Sequence, residues 1–249
     1  LIMPDKGGIE IFGMNLFGNH IRIMKQIGAV VESPVFFEYF SAYENLYYLS
    51  KFSGGCAREQ ILNALSIVGL EDASDKMAGT FSYGMKQRLG IAKSLLPENK
   101  LIFLDEPMNG LDPHGIAGVR KLIKRLSKDY GVTVFISSHL LAEVEQVCDF
   151  VTIIQRGRLV HESSVSKLIS ERPRVELITD EKDLFANFAK DKKIEIIALE
   201  GYDGKFKFVI NAAEDEIPAL ARDLCKAQIS IYKIANLTDR LEDIFVELT

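Results

Sequence analysis

Two short apolar runs, LIFLD at 101–105 and VTVFIS at 132–137, flank an amphipathic stretch at 116–130 whose apolar residues recur at helical spacing. A strand, a helix and another strand in that order need a crossover connection, which sets the strands parallel in one sheet. Both runs are apolar throughout rather than alternating, as expected for strands covered on both faces. The pattern commits this part of the chain to an α/β architecture. It also says where a site must lie, because open parallel sheets bind ligands at the carboxyl ends of their strands.

Acids stand at that place. LIFLDEPMNGLD drives apolar residues into two adjacent carboxylates, Asp105 and Glu106. Burying them unpaired would be costly, so they belong at the edge of the core, within reach of a cation or a polar reaction. Asp105 has the position to serve Mg²⁺ through its water shell, and Glu106 to polarise an attacking water. The plain alternative is a strand end with two solvated acids. The second strand ends in ISSH, which puts His139 beside the same edge; a lone histidine at a strand end is usually only that, but three such groups at neighbouring strand ends converge. Upstream, FSYGMKQRLGIAKSLL opens a helix at Ser82 and Gly84, whose free amides and helix dipole form an anion site, or an ordinary N-cap.

Composition narrows the class. The 249 residues, 47% hydrophobic, can bury the core of one domain and part of a second. A net charge of -5 and no Lys/Arg block argue against a nucleic-acid partner, whose phosphates would need neutralising. Cys56, Cys148 and Cys225 are odd in number and widely spaced, without C-x-x-C, so neither a disulfide framework nor a zinc site is expected and a reducing cytoplasm is the default. No apolar run approaches the length that spans a bilayer. LIMPDKGGIEIF lacks an initial methionine and passes straight through a turn into a strand, so the chain is expected to begin inside a domain.

Along the chain, residues 9 to 32 read as a strand, a polar connection around Gly18 to Arg22, and a short strand IGAVVE. From Phe36 to Leu96 the pattern is mostly helical. FVTIIQRGRLVHE either continues the sheet or turns back as a hairpin through Arg156 and Gly157. Beyond about residue 170 the strands RVELIT, KIEIIALE, KFKFVIN and ISIYKIA alternate like half-exposed ones, with helical patterns at 181–190 and 214–227. That order, βαββαβ, is a ferredoxin-like arrangement. TDRLEDIFVELT closes the chain as a helix with Thr238 as N-cap and a stripe of Leu241, Phe245 and Leu248.

FSYGMKQRLGIAKSLL, LIFLDEPMNGLDP and TVFISSHLLAEVEQVCD, in that order, resemble the signature helix, the Walker B strand with its D-loop, and the H-loop of an ATP-binding-cassette (ABC) ATPase. The resemblance covers roughly residues 1–165, with a helical subdomain at about 36–97 and an accessory α+β domain at 170–249. It implies a P-loop NTPase fold with a parallel core sheet, ATP and Mg²⁺ as cofactors, and a head-to-tail dimer docked on a membrane permease at the cytoplasmic face. Ser82 and Gly84 would bind the γ-phosphate held by the second copy, Asp105 would serve Mg²⁺, Glu106 the hydrolytic water, and His139 the γ-phosphate. Asn109 to Asp112 would form the D-loop crossing the dimer interface.

Three departures stand out. Tyr83 replaces the first glycine after the signature serine, and Glu32 stands where the family has its Q-loop glutamine, beside the triphosphate and Mg²⁺. Both substitutions resemble a bacterial subgroup that exports, or confers immunity to, peptides such as bacitracin and lantibiotics. The third is larger: no G-x-x-x-x-G-K-[ST] loop occurs, so the expectation is an N-terminally truncated ABC ATPase domain that is inactive alone. The competing readings are an interaction module that does not hydrolyse, or an ABC ATPase acting on DNA or the ribosome. The segment 35–52 carries eight of the 23 aromatic residues, too many for one core-facing stripe, so Phe36, Phe37 and Tyr39 are candidates for the groove that the resemblance assigns to the permease.

Overall fold

The computed structural model describes residues 4–32, 34–170, 174–237 and 241–248, in two compact units, Leu1–Leu140 and Leu141–Thr249. The first unit opens with a hairpin of β1 (Glu10–Ile11) and β2 (Met14–Asn15), then α1 (Leu16–Met24) and β3 (Ile27–Val30). Three helices follow, α2 (Ala42–Ser50), α3 (Arg58–Ile67) and α4 (Tyr83–Leu95), and then β4 (Leu101–Asp105), α5 (Pro113–Lys128) and β5 (Thr133–Ser137). The sheet order is β3-β4-β5, parallel throughout, as the strand–helix–strand pattern requires.

Residues 18–22 correct the sequence reading. They are helical, inside α1, and not a polar connection. Asn15 starts this helix by accepting the Phe17 N–H at 2.9 Å, and the helix is kinked at Asn19, where φ is -131°. The cap, which lies outside any apolar period, decides the conformation here. The helical block also starts later than Phe36: residues 36–41 form a turn, and α2 begins behind Ser41, which closes a capping box with Glu44. Phe36 is buried, Phe40 and Tyr47 are half-buried, and Phe37 and Tyr39 are exposed.

Packing on β3 explains the position of α4. Ile102 and Leu104 of the central strand and Leu89 and Ile91 of α4 are each fully buried, and each such side chain contributes about 1.5–3 kcal/mol on burial. The helix lies so close to β3 that a Cβ at Gly28 would stand 1.8 Å from the Ser94 carbonyl oxygen, so the crossing excludes any side chain there.

The second unit contains α6 (Leu141–Val147), the hairpin β6 (Phe150–Gln155) and β7 (Arg158–Ser164), and α7 (Val165–Ser170). Of the two readings of FVTIIQRGRLVHE, the hairpin holds, because Arg156 and Gly157 both take positive φ, 49° and 74°. Next come β8 (Arg174–Thr179), α8 (Lys182–Lys192), β9 (Ile196–Tyr202), β10 (Lys205–Asn211), α9 (Ile217–Lys226), β11 (Lys233–Leu237) and α10 (Leu241–Leu248). The sheet order β11-β8-β10-β9, antiparallel at every pairing, is that of the expected ferredoxin-like fold. RVELIT departs from its half-exposed reading. As an interior strand, β8 is buried along nearly its whole length, including Glu176, which takes an ammonium contact of 2.6 Å from Lys233. In α10, Leu241 and Ile244 are the buried positions, packed with Val151, Val165 and Leu168, while Phe245 is half-buried. The expected N-cap Thr238 and the Leu248 side chain lie outside the described residues; the first amide of the helix, that of Leu241, donates to Glu145 at 2.9 Å.

Candidate active site

The register pairs Asp105 with Ser137 at the carboxyl edge of the parallel sheet, and the Ser137 hydroxyl donates to Asp105 Oδ1. Glu106 follows with φ at 46°, left-handed backbone that costs an L residue about 1–2 kcal/mol. Two bonds hold it there: its N–H donates to the Ser137 carbonyl at 3.0 Å, and its own carbonyl accepts the Asn109 N–H at 3.1 Å. Strain kept up by neighbouring bonds is common where a side chain must be aimed. Here Glu106 Oε2 is brought to 2.9 Å from His139 Nδ1, with side-chain exposures of 29% and 62%.

That approach has ion-pair distance without hydrogen-bond alignment, and Oε2 is shielded from solvent with no hydrogen-bond partner. An unsatisfied buried carboxylate oxygen costs about 1–3 kcal/mol or more, and a water donating to it would remove the cost. A carboxylate beside an imidazole is the kind of pair a general base uses once the carboxylate turns toward its water.

The structure thus brings Asp105, Glu106 and His139 together and adds Ser137, which had not been singled out. Its one signal in the sequence is a hydroxyl residue opposite an acid at a strand end. Glu32 lies two residues past the Val30–Leu104 pairing, exposed and with φ at 51°, on the same edge of the sheet. Among the described residues no group of three or more His, Cys, Asp or Glu side chains could hold a metal ion. Mg²⁺ usually takes one or two carboxylates and completes its shell with water and phosphate, a role that Asp105, with Glu32 on the same edge, has the chemistry to fill.

Ser82 and Gly84 meet a different partner. Ser82 is the N-cap of α4, its hydroxyl accepting the Met85 N–H at 3.3 Å, and Arg88 donates to the Gly84 carbonyl at 3.4 Å. Tyr83, in place of a glycine, lays its ring by Gly110, where a Cβ would stand 3.4 Å from the ring edge; Gly110 also has φ at 73°. The start of α4 therefore rests on the loop 109–112. Asp112 in that loop is engaged as N-cap of α5, accepting the Gly115 N–H at 2.7 Å ahead of Pro113.

A parallel sheet whose carboxyl edge carries Asp-Glu on one strand and His just past the next, with a capped helix start packed on the following loop, is the architecture of a nucleotide-binding α/β protein. Comparison gives the family. The model of the family described as "ABC transporter" matches residues 1–109. The bacitracin transport ATP-binding protein BcrA of Bacillus licheniformis is 38% identical over all of this chain and 81% of its own length. The lantibiotic transport ATP-binding protein SrtF of Streptococcus pyogenes is 43% identical over 57% of this chain and 61% of its own. CbiO1 of Clostridium perfringens, part of the ABC transporter complex CbiONQ, superposes with a TM-score of 0.63 at 28% identity, over 69% of this chain and 71% of that one. This chain belongs to the ATP-binding subunits of ABC transporters.

The residues present fit the hydrolytic end of an ATP site, through the carboxylates of Asp105 and Glu106 and the imidazole of His139 at one sheet edge. They do not supply the triphosphate cradle, since no G-x-x-x-x-G-K-[ST] loop occurs in the 249 residues. No helix among the described residues is long and apolar enough to cross a membrane.

Proposed function

We propose that the chain is the hydrolytic subunit of an ABC exporter of antimicrobial peptides or similar compounds. In this reading it pairs head to tail with a second copy and docks on an integral-membrane permease at the cytoplasmic face. The observation that carries the catalytic part is the unsatisfied Oε2 of Glu106, held by strained backbone beside His139. Glu106 takes the proton of the attacking water, His139 steadies the charge at that carboxylate, and Asp105, held by Ser137, keeps one oxygen for the water shell of Mg²⁺. Ser82 and Gly84 present the start of α4 to the partner's γ-phosphate, with Asp112 fixing the loop beneath. The peptide class of the cargo is supported by the names of BcrA and SrtF. Exposed Phe37 and Tyr39 support docking at the 36–41 turn. Residues 1–165 form the ATPase part and 170–249 an accessory domain.

These 249 residues alone bind nucleotide weakly, because a cradle of backbone amides and a lysine supplies most of the phosphate contacts in such sites. Calorimetry with Mg-ATP checks this, and micromolar binding by the chain as it stands would overturn it. In a version carrying a family P-loop ahead of residue 1, Glu106→Gln keeps ATP binding and lowers turnover by at least about 100-fold, the usual contribution of a general base. Unchanged turnover would remove Glu106 from its role.

A further inference from the structure

Two turns in tandem join Glu106 to Asp112, the N-cap of α5. The first closes through the Asn109 N–H on the Glu106 carbonyl at 3.1 Å, the second through the Leu111 N–H on the Met108 carbonyl at 3.4 Å. Both contain Met108 and Asn109. Pro107 and Met108 are buried, whereas Asn109 and Gly110 are exposed, and Gly110 has φ at 73°. Glycine reaches that left-handed conformation without steric cost but also leaves it easily, which makes Gly110 the loosest link in the pair of turns. With α5 fixed, a rotation there swings the Asn109 amide away from the Glu106 carbonyl.

The start of α4 meets that link. A Cβ at Gly110 would stand 3.4 Å from Cε1 of Tyr83 and 3.7 Å from both its Cζ and its hydroxyl oxygen, so the ring occupies the space that a side chain at Gly110 would need. In return, Leu111 covers Gly84, where a Cβ would lie 3.6 Å from Leu111 Cδ2. The two contacts interleave, and neither involves Ser82. Tyr83 is 43% exposed, so removing its ring leaves the core as it is. The plain alternative, a ring that only covers the end of a helix, predicts no effect on the turns.

We propose that Tyr83 is a positioning residue, whose ring, laid on Gly110, holds the tandem turns that aim Glu106. Its effect on turnover rests on the hydrolytic reading above; its effect on the turns does not. Amide exchange followed by NMR on the 249-residue chain tests the second directly. Tyr83→Ala removes the ring and keeps a good helix former at the first position of α4. Exchange at the Asn109 and Leu111 amides then rises about tenfold, while that at Lys86, whose N–H donates to the Ser82 carbonyl at 2.9 Å, stays within about twofold. Tyr83→Phe keeps the ring and stays close to the wild type. In a version carrying a P-loop, Tyr83→Ala lowers kcat about tenfold at unchanged KM for ATP, and lowers it no further in the Asn109→Pro background, where the bond it protects is already gone. Unchanged exchange at Asn109, or equal acceleration at Lys86, would overturn the proposal, as would unchanged kcat in Tyr83→Ala where Glu106→Gln stops turnover. If Glu106→Gln leaves turnover unchanged, the hydrolytic reading falls, and exchange alone decides whether Tyr83 holds the turns.

Discussion

Asn45 is fully buried, and its amide serves the whole turn 37–41. Oδ1 accepts the Phe37 N–H at 2.8 Å, and Nδ2 lies 3.0 Å from the Phe37 carbonyl, 3.2 Å from that of Phe40 and 2.9 Å from that of Ser41. Asn45→Ala removes all four contacts, but the losses are unequal. The carbonyls keep second donors, from the amides of Phe40, Ala78 and Asn45 respectively, whereas the Phe37 N–H loses the oxygen it donates to. One orphaned donor costs about 1–3 kcal/mol and each shared bond less than about 1 kcal/mol, so the total is about 3 kcal/mol and not four full penalties. Asn45→Asp tests the direction: it can still accept from Phe37, yet its carboxylate faces three carbonyl oxygens, so it is at least as destabilising as alanine. Urea unfolding gives the loss, and hydrogen exchange at the Phe37 and Phe40 amides localises it. A loss below about 1 kcal/mol, or a well-tolerated aspartate, would refute the reasoning. Phe37 and Tyr39 hang on this turn, so if the proposed docking holds, co-purification with the permease falls even where the fold survives.

Gly28→Ala places a methyl group inside the Ser94 carbonyl of α4 and destabilises the first unit by about 3 kcal/mol or more, seen as a lowered Tm. Ser82→Arg, in a version carrying a P-loop, leaves nucleotide binding to the single subunit intact and stops ATP-dependent dimerisation; light scattering that still finds the dimer would remove Ser82 from the interface. The Lys233 ammonium is held above its ordinary 10.5 by the hydrogen bond to Glu176 and that carboxylate's charge. Its folded pKa exceeds the unfolded one, so this stabilisation is complete below about pH 10 and fades as pH rises through the raised value. Lys233→Met therefore flattens the alkaline limb of the stability profile, and an unchanged limb would assign it to other groups.

What could be read from the sequence follows from the range of the forces involved. Strand order around LIFLD and VTVFIS was legible because apolar period and crossover geometry are local, and they placed Asp105, Glu106 and His139 at one edge. The helix at 16–24 was not, because it is set by the hydrogen bond of one asparagine to an amide two residues on, while the apolar pattern around it is weak. RVELIT was misjudged for a related reason. Alternation reports exposure only if one face is open, and β8 lies between β10 and β11 with its acid paired to a lysine from β11. The site shows the same division. Residue types at the strand ends disclosed which chemistry was available, whereas the left-handed backbone of Glu106 depends on a carbonyl of β5 and an amide three residues on. Those two bonds fix the backbone that carries the Glu106 side chain, and only the folded sheet provides them. In a version carrying a P-loop, a variant that relaxes this turn while retaining both side chains, such as Asn109→Pro, which deletes the amide that Glu106 accepts from, therefore loses turnover although the proposed base and its histidine are both present, and unchanged ATP hydrolysis would show that the turn does not aim Glu106.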